Sequence, residues 1–343
     1  MKTILKLLLC FACVLSLSAC QKQEENNINN ETNNESNNEN NNVVVEPKKT
    51  SITLSFAGDV TLGNYVGQGY SGSFNHEYVK QNKDASYFLK NVKSVFENDD
   101  LTIVNLEGPL TTNTSYKEKT FSMCGLPEYV NILLEGSVEV VSLANNHTSD
   151  RQQKGLDDTR DVLTKNGIDH FGYAYTHIED VKGIKVGFAG FYFPSSYTKE
   201  MDNIVQRLNQ EADIVIAYFH WGIEGDRTPS TGQRNIAKDC IDNGVDLVIG
   251  AHPHVLQKTE TYKGKKIIYS LGNFCFGGNK NPSDKDTAIY QHTFNFEDNV
   301  LVSESNKFIP CRISSTTSRN NYQPTIVEGD AATRVLNKLK EIE

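Results

Sequence analysis

Residues 213–254 read DIVIAYFHWGIEGDRTPSTGQRNIAKDCIDNGVDLVIGAHPH. The runs 213–219 and 245–249 are short and rich in β-branched and aromatic residues, which is the signature of strands. Between them, 233–243 places Ile236, Cys240 and Ile241 at helical spacing. Strand, helix, strand in succession argues for an α/β layered domain with a central sheet. Working outward, the same alternation continues. Strand-like runs fall at 52–57, 101–105, 138–143 and 184–191, and amphipathic stretches at 85–98 (Phe88, Val92, Val95, Phe96) and 155–166 (Leu156, Val162, Leu163). Beyond residue 254, Lys263-Gly264 predicts a hairpin. Runs near 287–296, 300–304 and 307–314 predict an antiparallel extension of the sheet, and 331–342 a terminal surface helix. No linker-like break follows residue 50, so 51–343 reads as one domain.

The chain has 343 residues and a formal net charge of −9. Its composition excludes a polytopic membrane protein and a disulfide miniprotein. Its acidity argues against nucleic acid as a partner, because binding phosphate backbones rests on neutralising them with Lys and Arg. Residues 1–20, MKTILKLLLCFACVLSLSAC, join early lysines to a short apolar run and read as an export signal. The end of that segment resembles the lipobox of bacterial lipoproteins, which implies lipidation at Cys20 and a place on the extracytoplasmic face of the cell membrane; the alternative is an ordinary cleaved signal peptide that happens to contain Cys20. Residues 21–50 contain eleven Asn and six Glu and read as a disordered tether. Such a tether has a reach of roughly 30 Å. Of the later cysteines, Cys124, Cys240, Cys275 and Cys311, most are expected to be free and buried.

In α/β sheets the loops at the carboxyl ends of strands build the sites. Here those loops carry Asp59, Glu107, Asn146-His147, His220 and His252-Pro253-His254. Four of the eight histidines fall at strand ends. Taken singly each residue is more often a cap or a solvated side chain, and it is their joint placement that points to a site. Carboxylate, carboxamide and imidazole without thiolate form an oxygen and nitrogen donor set suited to Mn, Fe, Zn or Mg. Pro between the two histidines predicts an extended backbone from which both imidazoles diverge. Two metal ions about 3.5–4 Å apart would clamp both oxygens of an in-line displacement and activate water. Trp221, the sole Trp, either walls this site or fills the core. Glu224 is a candidate contact to a cationic or hydroxyl-bearing group, or else a helix-start acid. Arg227 and Arg234 are candidates for holding a carboxylate or phosphate, with surface ion pairs as the alternative.

The segments AGDVTLG (57–63), NLEGPL (105–110), LANNHTSD (143–150), FHWGIE (219–224), IGAHPHVLQ (249–257) and YSLGNF (269–274) resemble, in order and spacing, the capsule-synthesis family CapA, called PgsA in poly-γ-glutamate systems. That family belongs to the calcineurin-like metallophosphoesterase superfamily. The resemblance covers residues 51–280 and implies a four-layer α/β/β/α sandwich with a dinuclear metal site. It assigns Asp59, Glu107, Asn146, His220, His252 and His254 as metal ligands, with Glu107 in the bridging place, and His147 as the catalytic residue. Three positions depart from the superfamily pattern: Thr61 replaces a histidine ligand, Glu107 an Asp, and Ala251 a Gly. One or two divalent ions are therefore expected.

The leading functional expectation is a lipid-anchored protein acting in synthesis, export or surface attachment of an anionic polymer such as poly-γ-glutamate. No GxxxxGK[ST] loop occurs, so ATP-driven polymerisation is assigned to membrane synthase partners. The first alternative is a metal-dependent hydrolase of phosphoesters, or of amide bonds in the polymer or peptidoglycan. The second is a non-catalytic binding module with a structural metal.

Overall fold

The computed structural model describes residues 46–342. The expected export signal with Cys20, and residues 21–45 of the expected tether, lie outside them. Two sheets pack face to face. The larger runs, in spatial order, Thr325–Ile326, Val300–Arg312, Asp286–Glu297, Lys49–Thr61, Leu101–Leu106, Val140–Ser142 and Asp169–Phe171, with Asn273–Phe276 paired to the end of Lys49–Thr61. The smaller runs Thr259–Tyr262, Lys265–Ile268, Leu247–Ala251, Ile214–His220, Ile184–Tyr192 and Thr176–Val181. Neighbours at the centre of each sheet are parallel; antiparallel strands close both edges of the smaller sheet and one side of the larger, whose other edge, Asp169–Phe171, is parallel to Val140–Ser142. Among the described residues no helix is long and apolar enough to cross a membrane.

The layering follows from side-chain alternation. Along Ile214–His220, Ile214, Ile216 and Tyr218 face the core between the sheets, where Ile52, Leu54, Phe56, Leu247 and Ile249 meet them. Val215, Ala217 and Phe219 face the opposite way, against Val205, Leu208, Ile236 and Cys240 of the helices Lys199–Glu211 and Thr231–Asp242. A strand with two apolar faces must be covered on both, and it is. On the far side of the larger sheet, Val104, Leu106 and Val141 pack against Phe88, Ile132, Leu133 and Leu163 from helices. The result is the four-layer α/β/β/α sandwich. All four later cysteines are free, and three are buried.

Two expected elements differ. Residues 85–98 form two short helices, Ser86–Leu89 and Lys93–Phe96, instead of one. The Tyr87 carbonyl, which a continuous helix would give to the amide of Asn91, accepts 2.6 Å from Gln323 Nε2 instead. The runs 300–304 and 307–314 are one strand, Val300–Arg312, paired along its length with Asp286–Glu297. The helix Lys199–Glu211, not anticipated, is capped by Thr198, whose hydroxyl accepts from the Met201 amide.

Candidate metal centre

The inward-facing parity of Ile214, Ile216 and Tyr218 delivers His220 to the gap between the two sheets, just past the core. Leu247, Ile249 and Ala251 do the same for the loop that carries His252 and His254. From the other sheet, Lys49–Thr61 brings Asp59 after a register irregularity between Phe56 and Asp59. The loops after Leu101–Leu106 and Val140–Ser142 bring Glu107, Asn146 and His147. Seven residues distant in sequence thus meet at one end of the sandwich.

Their contacts are close. His220 Nε2 lies 2.8 Å from Asn146 Oδ1 and 3.1 Å from His252 Nδ1. Asp59 Oδ2 lies 3.2 Å from His254 Nδ1, while its Oδ1 accepts 2.8 Å from Asn105 Nδ2. Glu107 Oε2 accepts from the Thr61 hydroxyl at 3.3 Å, so Thr61 orients the carboxylate. Glu107 Oε1 has no hydrogen-bond partner although the residue is fully buried. Facing that oxygen are Nε2 of His220 at 3.6 Å and Nε2 of His147 and His254, each at 3.8 Å. His147 Nδ1 lies 2.6 Å from Asp150 Oδ2, and Asp150 Oδ1 lies 2.5 Å from Lys119 Nζ.

The backbone of the His-Pro-His loop is not extended. His252 has φ +95° and His254 φ +56°, both in the region that side chains rarely adopt. Pro253 bars the right-handed helical region to His252. The loop is then pinned from both sides: the His252 amide donates to Asp59 Oδ2 at 3.3 Å, and the Pro253 carbonyl accepts from the Gly225 amide at 2.9 Å. Strained positions of this kind concentrate at functional sites.

Electrostatics follow from burial. Burial pushes Glu107 up to about 7, helped by the charge of Asp59. Burial would also raise Asp59, but hydrogen bonding and charge from His254, with His220 and Asn105, hold it below the usual carboxylate range. Burial keeps His220 well below the usual imidazole value. These donors fit a divalent cation. An unpartnered buried carboxylate oxygen faces three imidazole nitrogens, and ligand atoms of Glu107, His252 and His254 lie within 4.8 Å of one another. Oxygen and nitrogen donors without thiolate suit Mn, Fe, Zn or Mg.

A cleft of about 650 Å³ opens onto this centre, lined among others by His147, Glu224, His254, Asn273, Tyr65 and Phe121. Glu224 is exposed at its rim. Trp221 does not line it. Continuing the parity of Val215, Ala217 and Phe219, it is buried in the outer core, stacked on Phe219 at 4.1 Å with its Nε1 donating to the Tyr269 carbonyl. Arg234 is also elsewhere, paired through two hydrogen bonds with Glu260. Arg227 sits beside the cleft, 2.9 Å from Asp284. Asn105, Thr61, Asp150 and Asn273 were not anticipated as site residues. Asn105, Asp150 and Asn273 stand inside NLEGPL, LANNHTSD and YSLGNF, and Thr61 inside AGDVTLG, so the motifs themselves carried the signal.

The sequence model of the bacterial capsule synthesis protein PGA_cap matches residues 53–278. The chain is 30% identical over 266 residues to the PGA biosynthesis protein CapA of Bacillus subtilis (strain 168), covering 70% of this chain and 67% of that protein. It is 29% identical over 272 residues to the capsule biosynthesis protein CapA of Bacillus anthracis, covering 70% and 63%. It therefore spans about two thirds of the length of these relatives. A solved structure titled as a novel phosphatase from Mycoplasma pneumoniae overlaps at a TM-score of 0.47 and 15% identity, over 77% of this chain and 95% of that one. With its matched region running from the first strand through the Asn273–Phe276 strand, the chain belongs to the bacterial capsule synthesis (PGA_cap) family.

Proposed function

We propose that the protein is a lipid-anchored component on the extracytoplasmic face of the cell membrane, serving synthesis, export or surface attachment of an anionic polymer of the poly-γ-glutamate kind. Membrane synthase subunits are its partners in this reading. The family match and the names of the relatives support the polymer. The metal-bearing cleft is carried by one observation: the buried, unpartnered Oε1 of Glu107, with three imidazole nitrogens arrayed about it. Asp59, Glu107, Asn146, His220, His252 and His254 would hold the ion. When bound, it supplies Lewis acidity and neutralises anionic groups of the ligand. Asn105 fixes Asp59 and lies 3.3 Å from His220 Nδ1, so it aims both ligands.

A second reading, hydrolysis of a phosphoester or a γ-glutamyl amide, is favoured by His147. Asp150 holds its Nδ1, which leaves Nε2 to carry a proton at the cleft floor. That is the arrangement a general acid requires.

The test is metal content by elemental mass spectrometry on the full chain without a His tag, against a Glu107→Ala, His252→Ala double variant. Bound transition metal that is lost in the variant is expected. No metal after reconstitution with Mn, Fe and Zn overturns the metal-bearing cleft. For the anchor, Cys20→Ser is expected to release the protein from the membrane fraction, and a variant that stays bound overturns lipidation at Cys20.

A further inference from the structure

Behind the wall of the metal cleft lies a second groove of about 450 Å³, and Ser283 and Asp284 line both. Arg227 on Asp284 forms the lip between them. The second groove gathers five cations, Arg227, Lys285, Arg312, Arg334 and Lys338, around only two carboxylates. They come from separate parts of the fold. Arg227 stands in the loop after Ile214–His220, Lys285 directly precedes the strand Asp286–Glu297, Arg312 ends Val300–Arg312, and Arg334 and Lys338 lie one turn apart on the helix Gly329–Lys338.

The two carboxylates hold three of the cations. Asp284 takes Arg227 at 2.9 Å and Lys338 at 3.0 Å, and Asp286 takes Arg334 through two bonds of 2.8 Å and Lys338 at 2.7 Å. Among the described residues, Lys285 Nζ and Arg312 Nε donate only to backbone carbonyls, of Pro282 at 3.0 Å and Ser314 at 2.6 Å. Neither charge is neutralised. In a chain of net charge −9, this concentration of positive charge runs against the whole. Clustered cations repel, and an anion lying among them removes that repulsion.

We infer that this groove is a binding track for successive carboxylates of a polycarboxylate chain, leading to the metal cleft across the Arg227 lip. The inference rests on the polymer reading above and extends it to a site outside the metal centre. The fork of Arg334 on Asp286 already displays the two-bond geometry by which a guanidinium grips a carboxylate. A polymer with one carboxylate per residue offers that contact repeatedly.

The test is fluorescence anisotropy with labelled long poly-γ-glutamate and, separately, a γ-glutamyl dipeptide, using the full chain in detergent. Relative to wild type, Lys285→Gln with Arg312→Gln is expected to weaken long-polymer binding about tenfold, worth roughly 1.4 kcal/mol. It should also flatten the salt dependence and leave dipeptide binding and metal content unchanged, with no fall in melting temperature. Lys285→Gln alone, whose side chain gives up one hydrogen bond to a loop carbonyl, is expected to show part of the loss without unfolding the protein. A double variant that binds the long polymer as wild type does overturns the groove and leaves the polymer reading standing. Polyphosphate bound as tightly as the polycarboxylate, with the same loss in the variant, overturns the assignment to carboxylates. Wild type that binds no polymer of any length overturns the polymer reading itself.

Discussion

Glu107 Oε1 and His220 Nε2 face each other across 3.6 Å, too far for a hydrogen bond, in a place with no water-exposed surface on either side chain to speak of. A buried acceptor left unpartnered costs about 1–3 kcal/mol, so the folded chain carries a local cost that a bound cation relieves. Adding Mn or Zn to the stripped protein is therefore expected to raise its melting temperature, by a stabilisation of roughly 2.7 kcal/mol at a hundredfold excess over Kd. Glu107→Gln removes the charge but not the shape, and should lose most of that gain while being no less stable than wild type when stripped. Thermal scans with and without metal decide it; equal metal-induced shifts in both proteins would remove Glu107 from the ligand set.

The 2.6 Å contact between His147 and Asp150 fixes which imidazole nitrogen faces the cleft. His147→Ala is expected to keep its metal, because the six residues proposed to hold it remain, while hydrolysis of any turned-over substrate falls about 10²–10⁴-fold. Asp150→Asn should lower the rate with little change in KM, since it acts through His147. Kinetics paired with elemental analysis separate the two effects, and unchanged turnover in Asp150→Asn would show that the contact does not orient the imidazole for chemistry.

Asp59 reaches the site only because the chain passes very close to a neighbouring turn. A Cβ on Gly58 would lie 1.9 Å from the Gly272 carbonyl oxygen, and that same oxygen accepts the Asp59 amide at 2.9 Å. Backbone stands on both sides, so neither can swing away. Gly58→Ala is expected to destabilise by about 3 kcal/mol or more and to weaken metal binding with it. Gly232→Ala, inside the helix Thr231–Asp242 with only Ser230 Oγ at 3.8 Å, is the control and should be neutral or stabilising by roughly 0.5–1 kcal/mol. Denaturant unfolding that finds the two variants alike would refute the close approach.

Strand ends and motif order made the metal centre legible, because a parallel strand delivers its next inward residue to the site. Period-two counting from Ile214 also assigns Trp221 outward, so its place in the core was readable from the strand alone. The helix 199–211 was readable as well, with Met201, Ile204, Val205 and Leu208 at helical spacing after a capping Thr198. Other features depend on partners remote in sequence. The break within 85–98 is made by Gln323, and the partner of Arg234 is Glu260 in a strand across the helix. Local pattern carries no information about such pairings. The left-handed backbone at His252 and His254 was misread for the same reason: Pro253 limits the choice, but contacts to Asp59 and Gly225 make it.

Arg234 does grip a carboxylate, though one of the chain's own. Burial alone would raise Glu260, but hydrogen bonds from Arg234, Lys238 and Tyr269 override it and bring the group down to about 2 from an ordinary 4.5. A carboxylate whose folded-state value is depressed adds stability that is present above its unfolded value and lost as pH falls toward the folded one. The window here runs from about pH 4.5 down to about pH 2. Arg234→Ala is thus expected to be less stable than wild type near neutrality, and the gap should close across that window as Glu260 is protonated in both. Because Arg234 lies away from the cleft, metal content and polymer binding should not change. Unfolding free energies measured across the acid range check this, and a gap that stays constant with pH would mean that Arg234 stabilises by packing its stem rather than through the charge on Glu260.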